Sequence, residues 1–394
     1  MDFKLPKNVQ FILDRFNSAG YEAFVVGGPV RDILRGVVPH DYDITTSARP
    51  EEIKALFSDI RTVDTGIQHG TVTLVIDGSP YEVTTYRIDG EYLDSRHPVG
   101  VEFCNNLSLD LMRRDFTMNA IAYNPRVGIV DTTGGKDDID ARLIRCVGDA
   151  HVRFSEDALR ILRALRFSAT LGFGIERKTR GAIFELAESA LLVSRERIFA
   201  ELKKLISGKW AKDVLSEYIS VISLFVPEWR MLGAPLTIDF QDADFTVRLV
   251  SLFAGAGASA KDFADRMRAL RADGLTVRRG EAVLSSLGKY QLGTRRGLIS
   301  LLLELGKRDA ELLCRVAVAV GAADSSCISE LSEIISSTPL TLSEIKASGE
   351  DISSLGFSGK RIGEVLSALL RAVAYGEVEN DRDSLTELAK SMKK

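Results

Sequence analysis

The feature that most constrains this fold is a change in apolar periodicity near residue 150. Before it, short runs rich in β-branched and aromatic residues predict strands at Ala23 to Val26, Asp41 to Thr46, Thr71 to Ile76 and Tyr81 to Tyr86. Short helical patterns, Val30 to Leu34 and Pro50 to Phe57, lie between them. After His151 the apolar residues fall at helical spacing, as in Leu159, Leu162, Leu165 and then Ile198, Leu202, Leu205, and strand signals nearly vanish. This order predicts an α+β chain whose sheet-bearing head ends near Gly148 and whose remainder is all helical. Breaks near Ser207-Gly208, from Gly233 to Pro235 and from Ser336 to Pro339 divide that remainder. The expected pieces are residues 1–148, 149–208, 209–336 and 337–394.

Composition narrows the chemistry. With 394 residues, 45% of them hydrophobic, the chain can bury cores for two or three domains. No stretch approaches the roughly 20 uncharged apolar residues that cross a bilayer, and Met1 to Asn8 lacks the apolar segment of a secretory signal, so a cytoplasmic protein without membrane partners is expected. The four cysteines form no CxxC pair and only four histidines are present, which argues against zinc and disulfide frameworks and leaves a hard, oxygen-bound metal as the one to expect. A net charge of −4 carries no global nucleic-acid signature. Residues 139–180, however, hold nine Lys/Arg against five Asp/Glu, a local excess of four positive charges.

Two short motifs suggest phosphoryl chemistry. The strand ending at Val26 runs into Gly27-Gly28-Pro29-Val30-Arg31-Asp32, a glycine turn with proline at a helix start. Such a turn brings backbone N–H groups close to a phosphate, and Arg31 can add charge-assisted bonds. A purely structural turn is the competing reading, while a Walker loop is excluded because no GK[ST] follows. Asp41-Tyr42-Asp43 then places two carboxylates on one face of a predicted strand, since side chains alternate with period two. Such a pair suits Mg²⁺ ions that activate an attacking hydroxyl and neutralise a leaving pyrophosphate. A bare DxD is common on surfaces, and the turn a dozen residues earlier gives this one its weight. Glu82 is the best-placed third carboxylate, with a sheet-edge charge as the alternative. Arg113-Arg114-Asp115 reads by itself as a charged helix start.

In order along the chain, Gly27 to Asp32, His40 to Asp43, Arg113 to Ala120 and Glu156 to Phe167 resemble the motifs of the class II CCA-adding enzyme and bacterial poly(A) polymerase family. Ser194 to Ile198 with Glu201-Leu202 is similar to the family's next helical motif, and Gly349 to Gly363 to the tRNA-binding tail of its CCA-adding branch. The resemblance covers nearly the whole chain, least clearly from Trp229 to Ser336. It implies a polymerase-β-like nucleotidyltransferase head followed by helical neck, body and tail. It further implies Mg²⁺ on Asp41 and Asp43, the triphosphate on Gly27, Gly28 and Arg31, the ribose on Arg114 and Asp115, and CTP, ATP and the 3′ end and elbow of tRNA as partners.

Asp157, Arg160, Arg163 and Arg166 recur every three residues and would form a slanting stripe on one helix, with Ile161, Leu162 and Leu165 packed inward. A solvated basic face with an Asp157–Arg160 ion pair is the plain reading. Base chemistry gives a sharper one. Cytosine and adenine both present an amine donor beside a ring-nitrogen acceptor, so an Asp acceptor and an Arg donor fit either base and mismatch guanine or uracil by about 1–3 kcal/mol per unsatisfied contact. The family resemblance agrees, assigning base reading to Asp157 and Arg160, with Arg163 and Arg166 in support. Tyr86 to Pro98 looks like the family's flexible loop for the switch from C to A, which argues against CC-only activity. Its Ser95-Arg96-His97-Pro98 departs from the two basic residues often found there. Full CCA addition is the expectation, ahead of A-only addition, poly(A) synthesis and a non-catalytic RNA-binding role.

Overall fold

The computed structural model describes residues 3–89 and 101–393, so the centre of the expected flexible loop lies outside the described residues. The chain divides into two compact units, Met1–Val214 and Leu215–Lys394.

The first unit is built on Ala23–Val26 (β1). Every residue of this strand is buried, as a run of consecutive apolar residues requires at the centre of a sheet. Ahead of it lies helix Lys7–Ser18 (α1), whose Val9, Ile12, Leu13 and Phe16 share one buried face at helical spacing. There follow Gly28–Leu34 (α2), Ile44–Thr46 (β2), Pro50–Leu56 (α3), Arg61–Gly66 (β3), Thr71–Ile76 (β4) and Ser79–Thr85 (β5). Arg87–Asp89 (β6) and Val101–Phe103 (β7) pair with each other as a separate ribbon. Then come Leu107–Met112 (α4), Ile121–Asn124 (β8) and Gly128–Asp131 (β9). The main sheet has the order β3-β4-β5-β2-β1-β8-β9, with β2 and β5 parallel and every other neighbouring pair antiparallel.

Two expectations change here. The strand expected from Asp41 begins only at Ile44, because Gly27, at φ +78°, turns the chain away after Val26 and leaves Asp41 and Tyr42 nothing to pair with. The last link of that ladder is Val26 N–H donating to the Asp43 carbonyl at 3.0 Å. Arg113-Arg114-Asp115 is not a helix start either: it follows the C-terminus of α4, with Arg113 as its C-cap.

Beyond the main sheet lie Gly135–Asp140 (α5), Leu143–Ile144 (β10), Ala150–Glu156 (α6), Leu159–Leu171 (α7), Gly174–Ile175 (β11), Arg177–Leu186 (α8) and Arg195–Ile206 (α9). α7 packs on α9, and β11 pairs in parallel with β10, so the remainder expected to be all helical contains this short strand. Ile161, Leu162 and Leu165 are wholly buried, as their spacing predicts. The second unit contains helices and no strand among its described residues. Trp229, Phe253 and Phe263 stack edge to face at its core, with centroids 5.6 and 4.9 Å apart. A smaller cluster of Ile352, Val365, Leu369 and Leu385 joins the last three helices. Helices end at Ile206 and Ser337, close to the breaks read from sequence. Among the described residues no helix is long and apolar enough to cross a membrane.

Candidate active site

The parallel register of β2 on β5 sets Ile44 beside Val83, both buried, so Asp43 and Glu82, each one residue earlier, turn to the opposite, exposed face. β5 is an interior strand, which removes the sheet-edge reading of Glu82. Asp41 lies two residues before Asp43, also exposed. Desolvation by the surrounding protein, with the negative charges of Asp41 and Glu82, pushes the Asp43 carboxyl up to about 6 against the opposing pull of Arg114. Like charges concentrated this way are relieved by a divalent cation, and the donors are all hard oxygens, so the set fits Mg²⁺. Among the described residues no three Asp, Glu, His or Cys side chains gather into a closed metal group, so two carboxylates would leave the remaining coordination positions open.

Beside these carboxylates lies the Gly27 turn. Gly27 has φ +78° and ψ −128°, and a Cβ there would stand 3.3 Å from Arg114 Nη1. The turn therefore needs glycine twice over, for its backbone and for the guanidinium pressed against it. Arg31, 8% exposed, donates to Asn119 Oδ1 at 2.8 Å and to Asp32 at 3.0 Å, with its guanidinium 5.3 Å from the Phe167 ring. It is thus held next to the turn it was expected to serve.

Asp115, also 8% exposed, accepts from Arg163 Nε and Nη2 at 2.9 and 2.6 Å through one oxygen, and from the Phe116 N–H and Asn119 amide through the other. Burial alone would raise its carboxyl, but Arg163, Arg160 and these hydrogen bonds hold it down at about 2.

The Arg stripe departs from a solvated face. Arg160 is 8% exposed and pairs with Glu156 at 2.6 Å, donating also to the Arg153 and Arg113 carbonyls. Arg166 pairs with Glu201 at 2.8 Å and lies 3.6 Å from the Phe167 ring centroid. In place of the Asp157–Arg160 pair of the plain reading, the structure gives Arg160–Glu156 and Arg197–Asp157 pairs. Asp157 precedes α7 rather than standing on it: Oδ1 accepts the Leu159 N–H at 3.1 Å and Oδ2 accepts Arg197 at 2.8 Å. Acids from outside the segment, Asp115 and Glu201, thereby pair with Arg163 and Arg166.

Asp110 lies outside the motifs read from sequence, while Asn119, Glu156, Arg197 and Glu201 lie inside them but were given no role of their own. Asp110, wholly buried, accepts from Arg113 and Arg114, and that i, i+3, i+4 spacing was visible in the chain, as was Glu156 four residues before Arg160. Arg197 and Glu201 stand in the next family-like motif, but nothing local tied them to Asp157 and Arg166.

Comparison with known proteins gives a consistent result. Residues 23–145 match the family model described as the poly A polymerase head domain, and residues 172–218 the one described as the probable RNA and SrmB-binding site of polymerase A. The chain is 35% identical over 395 residues to the CCA-adding enzyme of Leuconostoc mesenteroides, covering 97% of this chain and 96% of that one. It is 36% identical to that of Geobacillus thermodenitrificans, covering 95% and 94%. The Bacillus stearothermophilus CCA-adding enzyme solved with CTP superposes with a TM-score of 0.85 at 32% identity, over 99% of this chain and 98% of that one. The fold is also that of the Thermotoga maritima enzyme solved with tRNA, with a TM-score of 0.72 at 20% identity, covering 99% and 97%.

Proposed function

Because the chain belongs to the CCA-adding enzymes of the class II tRNA nucleotidyltransferase and poly(A) polymerase family, we propose that it builds and repairs the 3′-terminal CCA of tRNA from CTP and ATP without a nucleic-acid template. The observation that carries the residue-level reading is that Asp43, near enough to Asp41 and Glu82 for their charges to raise its carboxyl, stands beside Arg114 and the Gly27 turn.

In this reading Asp41 and Asp43 hold Mg²⁺, which would supply Lewis-acid activation of the tRNA 3′-hydroxyl and charge neutralisation of pyrophosphate. Gly27, Gly28 and Arg31 orient the triphosphate so that the hydroxyl attacks the α-phosphate in line, and Glu82 adds negative field beside Asp43 as a further catalytic carboxylate. Arg114 and Asp115 take the ribose, where an ionised carboxylate can accept the 2′-hydroxyl. Asp157 accepts the exocyclic amine of C or A and Arg160 donates to the ring nitrogen. Glu156 and two carbonyls restrain Arg160 to one orientation, which is what selection by geometry requires. Arg163 and Arg166 support that face through Asp115 and Glu201. Four functional pieces follow, a catalytic head (1–148), a neck reading the base (149–208), a body (209–336) and a tail (337–394) on the tRNA elbow.

The test supplies tRNA ending before the first C, after it and after the second, with labelled CTP and ATP singly and together. Two C additions to the shortest substrate followed by one A are expected. Addition of A alone, or of a long A tract, would refute the proposal.

A further inference from the structure

Resting on that reading of the nucleotide site, we propose that Asp110 is its positioning residue, a buried anion that sets the Arg114 guanidinium between the Gly27 turn and the segment running from Asp43 into β2.

Asp110 is 0% exposed, on a helix of only six residues. Its two oxygens divide their partners. Oδ1 accepts Arg113 Nε and Nη2 at 3.0 and 2.8 Å and the Arg87 backbone N–H, at the start of β6, at 3.4 Å. Oδ2 accepts Arg114 Nη2 at 3.1 Å and the Thr45 hydroxyl at 3.3 Å. Thr45 follows Asp43 by two residues along the same extended segment. One carboxylate oxygen therefore ties Arg114 to the backbone segment that carries the metal-binding pair.

Stability alone is a poor account of this arrangement. A carboxylate taken wholly out of water is costly, and replacing buried ion clusters by apolar residues is often neutral or stabilising. What the cluster does provide is direction. Anchored at Nη2, Arg114 presses Nη1 against the turn, 3.3 Å from where a Gly27 Cβ would stand. Its Nε is buried with no partner in the described structure. Buried donors are almost always satisfied, so a guanidinium fixed at Nη2, with Nη1 beside the Gly27 turn and Nε left unsatisfied, is arranged for an anionic ligand. The ligand chemistry is a nucleoside triphosphate, approached from the side of the turn.

The experiment measures steady-state KM and kcat for CTP and for ATP, with melting temperature, in Asp110→Asn, Arg114→Gln and the double variant. Asp110→Asn is expected to raise KM for both nucleotides about tenfold, with kcat changed less than threefold and no further loss in the double variant beyond Arg114→Gln. If Arg114→Gln leaves KM unchanged, the assignment of Arg114 to the nucleotide fails. If it raises KM while Asp110→Asn lowers only the melting temperature or the active fraction, the nucleotide assignment stands and the positioning role is overturned. Should Asp110→Asn not fold, Asp110→Glu, which keeps the charge and displaces it by one methylene, is expected to raise KM likewise. A normal KM there, or failure of both variants to fold, makes Asp110 a fold determinant only and overturns the proposal.

Discussion

Replacing Arg163 by Met removes the charge that holds Asp115 ionised while keeping most of the side-chain volume against Phe167. The Asp115 carboxyl lies near 2 rather than its ordinary 3.8, and it is almost wholly buried. A depression of this size corresponds to roughly 2–3 kcal/mol of stability at neutral pH. Arg163 is the foremost favourable contributor, though Arg160, the Phe116 N–H and the Asn119 amide would remain. The expected loss is therefore about 2 kcal/mol, or about 4–8 °C in the melting of a unit of this size. The pH dependence gives the sharper check. A carboxyl whose folded pKa is depressed stabilises fully above its unfolded value and loses that contribution as pH falls through its folded value. That contribution should shrink to about half by pH 3. Calorimetry of both proteins from pH 7 to pH 3 should show their melting temperatures converging toward acid. A gap that stays constant over that range, or one below about 0.5 kcal/mol at pH 7, would refute the account of Asp115 as an Arg163-dependent anion.

Asp41→Ala or Asp43→Ala should abolish nucleotide addition while tRNA binding in a filter assay is retained; near-normal turnover would sink the metal assignment. Because the raised carboxyl of Asp43 costs the metal-free protein stability that builds from about pH 4 and is complete above about pH 6, Asp43→Asn should raise its melting temperature at pH 8 and leave it nearly unchanged at pH 3, and Mg²⁺ affinity of the unaltered protein should fall as pH drops through about 6. Arg160→Ala should loosen discrimination against UTP and GTP by at least tenfold in kcat/KM, and unchanged selectivity would remove the base-reading role. Gly27→Ala should lower stability by about 1–2 kcal/mol through its positive φ and raise nucleotide KM by displacing Arg114; a variant with wild-type KM would separate the turn from the site.

Much of this protein follows from its sequence alone. The periodic switch near residue 150 separates a sheet-bearing region from helices because side-chain spacing reports which faces can be buried, and β1 and the inward face of α7 agree with it residue by residue. The motifs around Gly27, Asp41 and Asp157 are likewise local, so they can be recognised in the sequence, while the roles proposed for them come from the family resemblance. Tertiary structure alone decided where the charges go. Arg197 reaches Asp157 across 40 residues, Arg166 reaches Glu201 across 35 and Arg163 reaches Asp115 across 48, pairings that helical spacing cannot anticipate. The strand at Ile44 is shorter than its sequence pattern because the partner strand ends at Gly27, a property of the neighbour and not of the segment itself. A stripe of arginines read along one helix is a solvated surface until folding brings acids from other helices and loops to it. Burial then makes each pair directional, and this turns a run of positive charge into a set of fixed donors.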